Sequence, residues 1–106
     1  MNIRTYIFKL TKQVRENNAP VNARTKLAYA RAYMQGEEGL KRYRDRAIAT
    51  KIGSTYSQDA QLAILFNKDT RPEEYEAYQA FRAECKARVD EKMAELAVEL
   101  ENALKE

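Results

Sequence analysis

Residues 70–106 read TRPEEYEAYQAFRAECKARVDEKMAELAVELENALKE, and this stretch decides the fold. After Pro72 it holds neither Gly nor Pro, and Ala, Glu, Lys and Leu dominate it, as in a helix that nothing interrupts. Its opening carries a start signal. Thr70 stands where a cap is needed, Pro72 falls in the first turn where a missing N–H is harmless, and Glu73 occupies the reciprocal capping position. Glu73, Glu74 and Glu76 add negative charge at the positive end of the helix dipole. At 1.5 Å per residue a helix over 71–106 is about 50 Å long.

The apolar stripe of this helix runs Tyr78, Phe81, Cys85, Val89, Met93, Leu96, Leu100, Leu104. Its mean step of about 3.7 residues suits a straight or slightly right-handed packing face, not the 3.5 of a leucine zipper. A compact domain of this size has a radius of gyration of about 13 Å. The helix is therefore expected to extend beyond a single domain, 1–106, with Met93, Leu96, Leu100 and Leu104 on the overhang. Each large side chain left in water forfeits about 1.5–3 kcal/mol. Those four residues are thus the expected oligomer interface, with a second copy or another protein as partner; the alternative is that the other helices cover them.

Upstream, punctuation is sparse: three Gly and two Pro in 106 residues. Ile3, Ile7, Leu10 and Val14 recur at steps of 4, 3 and 4 and mark one face of a first helix, ending near Asn17 and Asn18 ahead of Pro20. A second helix follows Pro20, with Leu27, Ala30 and Met34 on one side and Tyr29 and Tyr33 on another, and stops at Gly36. Gly39 is expected to keep the next connection loose before a third helix from Leu40 to Ile52, capped by Gly53. Residues 62–66, LAILF, are apolar on every side of a helix, so this fourth helix is expected in the middle of the core. Thr55 with Gln58, or Ser57, supplies its cap. The fold class is all-α: a small bundle of four short helices plus one long C-terminal helix.

Composition narrows the chemistry. The chain has no His and one Cys, with 33% charged and 44% apolar residues. Without imidazole there is no ordinary nucleophile–base pair and no commonest zinc ligand. A lone Cys excludes an internal disulfide or a CxxC site, and Cys85 within the apolar stripe reads as a packing residue. The acid pairs Glu73/Glu76 and Glu95/Glu99 are ordinary for exposed helix, and Gly36-Glu-Glu-Gly39 lacks the Lys-Ser/Thr of a phosphate loop. We therefore expect no enzyme, cofactor, metal or small-molecule ligand. Met1–Leu10 is broken by Arg4 and Lys9 and makes no secretory segment, and no stretch approaches the roughly 18 apolar residues of a membrane span. The expected location is the cytoplasm of a bacterial host, or a virion.

Charge is uneven. Residues 1–71 hold 14 basic and 6 acidic groups, net +8, while residues 72–106 hold 5 basic and 10 acidic, net −5. Such polarity favours head-to-tail association or an acidic partner. On the first helix Phe8 points away from the apolar face, among Arg4, Lys12 and Arg15. An exposed aromatic ringed by cations is a partner-binding hot spot, unless another helix covers it. Arg42 and Arg46 are the candidate nucleic-acid contacts, but Arg44 and Lys51 fall on another side and Asp45 adjoins the pair, whereas a groove-tracking element gathers its charge on one stripe. Tyr29, Tyr33, Tyr75 and Tyr78 line an interface or form half-buried core.

The segment from Tyr56 to Lys86 carries Leu62-Ala-Ile-Leu65, the turn Lys68-Asp-Thr-Arg-Pro-Glu-Glu74, then Tyr75, Tyr78, Phe81 and Glu84-Cys-Lys86. It resembles small uncharacterised proteins encoded by phages and prophages of Gram-positive bacteria, often near tail genes. Phe66-Asn67 departs from the basic-polar pair of that pattern. The resemblance implies a genetic setting and no catalytic residue. The expected function is non-catalytic protein–protein interaction, as a virion or tail-assembly component. The alternatives are a small anti-CRISPR-like inhibitor of a host defence protein and a nucleic-acid-binding helical protein.

Overall fold

The computed structural model describes residues 1–106. Five helices follow in order: α1 Ile3–Arg15, α2 Ala23–Met34, α3 Gly36–Gly53, α4 Gln58–Phe66 and α5 Pro72–Leu104. No strand is present, and no helix is long and apolar enough to cross a membrane. The chain divides into two compact units, one of residues 1–44 with 92–106 and the other of 45–91.

The first unit is built on α1, α2 and the end of α5. Asn2 caps α1, its side chain accepting from Thr5 N–H at 2.8 Å. The helix ends because Asn17 enters the left-handed region at φ 56°. Asn18 N–H then reaches back to Gln13 O at 2.9 Å and Asn17 N–H to Val14 O at 3.3 Å, a Schellman closure that satisfies otherwise orphaned carbonyls. Leu10 packs with Ala23 and Leu27 of α2, with Tyr6, Ile7 and Val14 beside them. Tyr29 and Ala30 of α2 form a second cluster with Leu96 and Leu100 of α5, onto which Ile3, Leu40, Met93 and Leu104 pack. The Met1 ammonium donates to the carbonyls of Leu104, at 3.3 Å, and Glu106, placing positive charge at the negative end of α5.

This packing corrects the expected overhang. Leu96 is 2% exposed and Leu100 4%, and Met93 and Leu104 are half-buried against the same cluster. Leu96 and Leu100 are thus covered within the chain, while Met93 and Leu104 stay partly open. The size argument assumed one round body, whereas α5 contributes residues 72–91 to one unit and 92–104 to the other. The N-terminal helices then cover the stripe from within the chain.

Gly39 is a second correction. Only Gln35 separates α2 from α3, and Gly36, at φ +78°, makes the reversal. Gly39 lies inside α3, where a Cβ would collide with the Ala32 carbonyl oxygen and Gln35 Cβ. It permits close approach instead of loosening a linker, and α3 starts four residues earlier than expected.

In the second unit the buried side chains are Ile48, Ile52, Ile64, Tyr78, Cys85 and Val89. The Tyr56 ring meets Tyr78 edge-on, with centroids 5.1 Å apart, and Phe81 at 5.3 Å. Tyr78 Oη donates to Gln61 Oε1 at 2.6 Å, and Gln61 Nε2 donates to Tyr56 O at 3.1 Å. A buried phenol is thereby satisfied by an amide that also fixes the loop before α4. Ser57 caps α4, accepting from Ala60 N–H at 3.1 Å. Ahead of α5, Thr70 Oγ1 donates to Asn67 O at 3.1 Å, so Thr70 closes the preceding turn and does not cap.

The expectation that α4 lies mid-core fails. Ile64 is its one fully buried residue, while Leu62, Leu65 and Phe66 face solvent. A nine-residue helix buries the side that meets its unit, and this unit has no further layer to cover the other side.

Two outcomes follow from these cores. Leu100→Ala should lower unfolding free energy by about 2–5 kcal/mol, read by urea denaturation, whereas a residue on an uncovered overhang would give a far smaller change. Tyr6, Tyr29 and Tyr43 all have pKa values raised by burial, helped by Glu99, Tyr33 and Tyr29 respectively. Their contribution is full below the unfolded phenol value of about 10 and is lost as pH climbs through the higher folded values. Melting temperature should therefore fall steeply above pH about 10, and less so in Tyr29→Phe/Tyr43→Phe.

Candidate functional site

Helix α1 turns two different faces outward and inward. At 100° per residue Ile3, Ile7, Leu10 and Val14 share the inner arc, and Arg4, Phe8, Lys12 and Arg15 fall within about 80° of one another on the other side. All four of the latter are exposed, and Phe8 keeps 69% of its surface in water. No helix covers it. Thr11 Oγ1 donates to Ile7 O at 2.8 Å.

A shallow cavity of about 350 Å³ opens here, lined by Phe8, Thr11, Lys12, Arg15 and Glu16. Lys12 and Arg15 sit in the last turn, where the dipole favours cations. Arg4, Lys12 and Arg15 make no salt bridge, while elsewhere Lys26 meets Glu99 at 3.6 Å and Arg88 meets Glu84 at 2.6 Å. Residues 3–15 contain four basic groups and no acid. The face combines Arg4, Lys12 and Arg15 with an unburied aromatic, and Glu16 stands at its edge; it can desolvate onto a partly apolar protein surface.

The remaining sequence candidates part company. Arg42 is engaged, donating to Gln35 Oε1 at 3.0 Å and meeting Glu38 at 3.9 Å. Lys41 and Arg44 also have partners, so α3 presents no stripe of free cations around Arg42 and the exposed Arg46. Tyr29 and Tyr78 are buried and Tyr75 half-buried, whereas Tyr33 is exposed. Tyr33 lines a groove of about 430 Å³ with Leu100 and Leu104. Cys85 is buried behind a smaller cavity of about 200 Å³ edged by Lys51, Ser54 and Arg88. No three His, Cys, Asp or Glu side chains converge.

The surface that sequence reasoning missed is on α4. Phe66 is 85% exposed, Leu62 53% and Leu65 44%, spaced i, i+3, i+4 on the side opposite Ile64. The usable signal was the number of helices available: an all-round apolar helix needs neighbours on both sides, and one unit of this small chain does not supply them.

No family model, curated protein or solved structure matches the chain.

If both aromatics are surface anchors and not core, Phe8→Ser and Phe66→Ser should each shift unfolding free energy by no more than about 0.5 kcal/mol. Leu10→Ala, from the inner arc of the same helix, should lower it by about 2–5 kcal/mol. Chemical denaturation of the three variants checks this.

Proposed function

We propose that this chain is a non-catalytic protein-binding module of a phage or mobile element, serving as a virion or tail-assembly component, and that α1 docks it. The observation that carries this reading is Phe8, 69% exposed at the centre of Arg4, Lys12 and Arg15. A monomeric surface gains nothing from a large aromatic held in water, whereas a central aromatic flanked by Arg is the usual composition of an interface anchor. Glu16 on the rim of the same cavity interrupts the continuous positive stripe that a phosphate backbone would track. Four cations on one helix also make a small footprint for polyanion binding. The phage setting is supported by the resemblance of residues 56–86 alone.

The test is incorporation. Virions purified from a phage encoding the wild-type chain should contain it, by mass spectrometry, and the Phe8→Ser/Arg15→Glu variant should be depleted about tenfold or more while remaining folded. A chain absent from virions that instead restores plating on a defended host identifies the inhibitor and refutes the assembly role. Retention on DNA that disappears with the same substitutions refutes protein docking.

A further inference from the structure

We propose that the groove between α2 and the last turns of α5 binds a small uncharged molecule with an apolar body and one hydrogen-bonding head, such as an alcohol, phenol or ketone. The site is independent of the α1 face. It lies within the first unit and holds about 430 Å³, inside the range of about 300–1,000 Å³ that small-molecule sites occupy. Tyr29 and Tyr33 line it from α2 and Ala97, Leu100 and Leu104 from α5, with the exposed Glu101 and Lys105 at its edge. Composition argued against chemistry that needs imidazole or paired thiols, and this site needs neither.

Tyr29 separates this groove from an ordinary dip between helices. The residue is 5% exposed and its ring stands edge-on to Tyr43 at 5.7 Å, yet its hydroxyl makes no hydrogen bond. A phenol oxygen carried inside by packing normally finds a partner. Tyr78 shows this in the other unit, donating to Gln61 Oε1. No fully buried side-chain oxygen of the chain is left unpaired, so the Tyr29 oxygen is not sealed in, and it is open to the cavity that its residue lines. Burial, and then the nearby Tyr33 phenol, raise the Tyr29 pKa. At neutral pH the oxygen keeps its proton and offers both a donor and an acceptor.

The edge of the groove decides the charge of the ligand. Glu101 and Lys105 face each other at 3.7 Å, so neither is free to recruit a counter-charge. An anionic head would meet Glu101 and the negative end of the α5 dipole. A cationic head would meet Lys105 and the Met1 ammonium, which donates to the Leu104 carbonyl at 3.3 Å. An uncharged head avoids both and is left with the phenol, while the body lies against Ala97, Leu100 and Leu104.

The probes are 1-naphthol and naphthalene, the same rings with and without a head. In fluorescence titration at neutral pH the wild-type chain should bind 1-naphthol saturably, one to one, and about tenfold more tightly than naphthalene. Tyr29→Phe keeps the ring and its packing. It should bring 1-naphthol down to the naphthalene level and leave naphthalene unchanged, a split that a loss of structure would not produce. Ala97→Phe fills the groove from an exposed position and should abolish both, whereas Phe8→Ser should bind as wild type does. Circular dichroism confirms that the three variants remain helical. A wild-type chain that takes up neither probe overturns the proposal, as does a preference for 1-naphthol that survives Tyr29→Phe, or binding that survives Ala97→Phe or is lost in Phe8→Ser. Light scattering is read on the same samples: a self-associating wild type that Ala97→Phe turns monomeric assigns the groove to a second copy and overturns the proposal as well.

Discussion

Ala30 is completely buried against Leu96 and Leu100, and the first unit depends on that contact. The methyl side chain lets α2 approach α5 closely, and Tyr29 beside it supplies the area that the alanine lacks. A larger residue at 30 would push the helices apart and uncover two leucines at once. The partners are more than sixty residues apart in sequence, so the α1–α2 hairpin must close a long loop before it gains anything from α5. The Tyr6 phenol, the Lys26–Glu99 pair and the Met1 ammonium are arranged around the result. They tie down the edges of a cluster whose affinity is apolar.

Much of this was readable before any coordinates. The α5 boundaries follow from Pro72 and the unbroken Ala, Glu, Lys, Leu run, and the inner arc of α1 from the 4, 3, 4 spacing. What failed shares one cause: local pattern reports whether a face is apolar but not what stands opposite it. The Leu96–Leu100 edge looked unsupported because the body was imagined as one sphere. The LAILF run looked central because its neighbours were not counted. Gly39 looked like slack because a residue chosen for close approach and one chosen for freedom are the same glycine in sequence. Phe8 could be read either way, since its angular position says that it leaves the inner arc and nothing about a second helix beyond.

Both compact units keep apolar side chains in water, Phe8 among those of the first and the Leu62–Leu65–Phe66 ridge in the second. Neither feature strengthens the fold. Arg42, by contrast, is absorbed by Glu38 and Gln35, showing how an ordinary surface cation is dealt with in this chain.

Cys85 gives the second unit an internal clock. As the sole thiol, and a buried one, it reacts with a water-borne alkylating reagent only when its surroundings part. The labelling rate of the untouched protein thus reports how often the wall of its cavity, Phe81 included, opens further. Nature has placed a single-site probe of breathing in the half of the molecule that carries the ridge, and it requires no added label to be engineered.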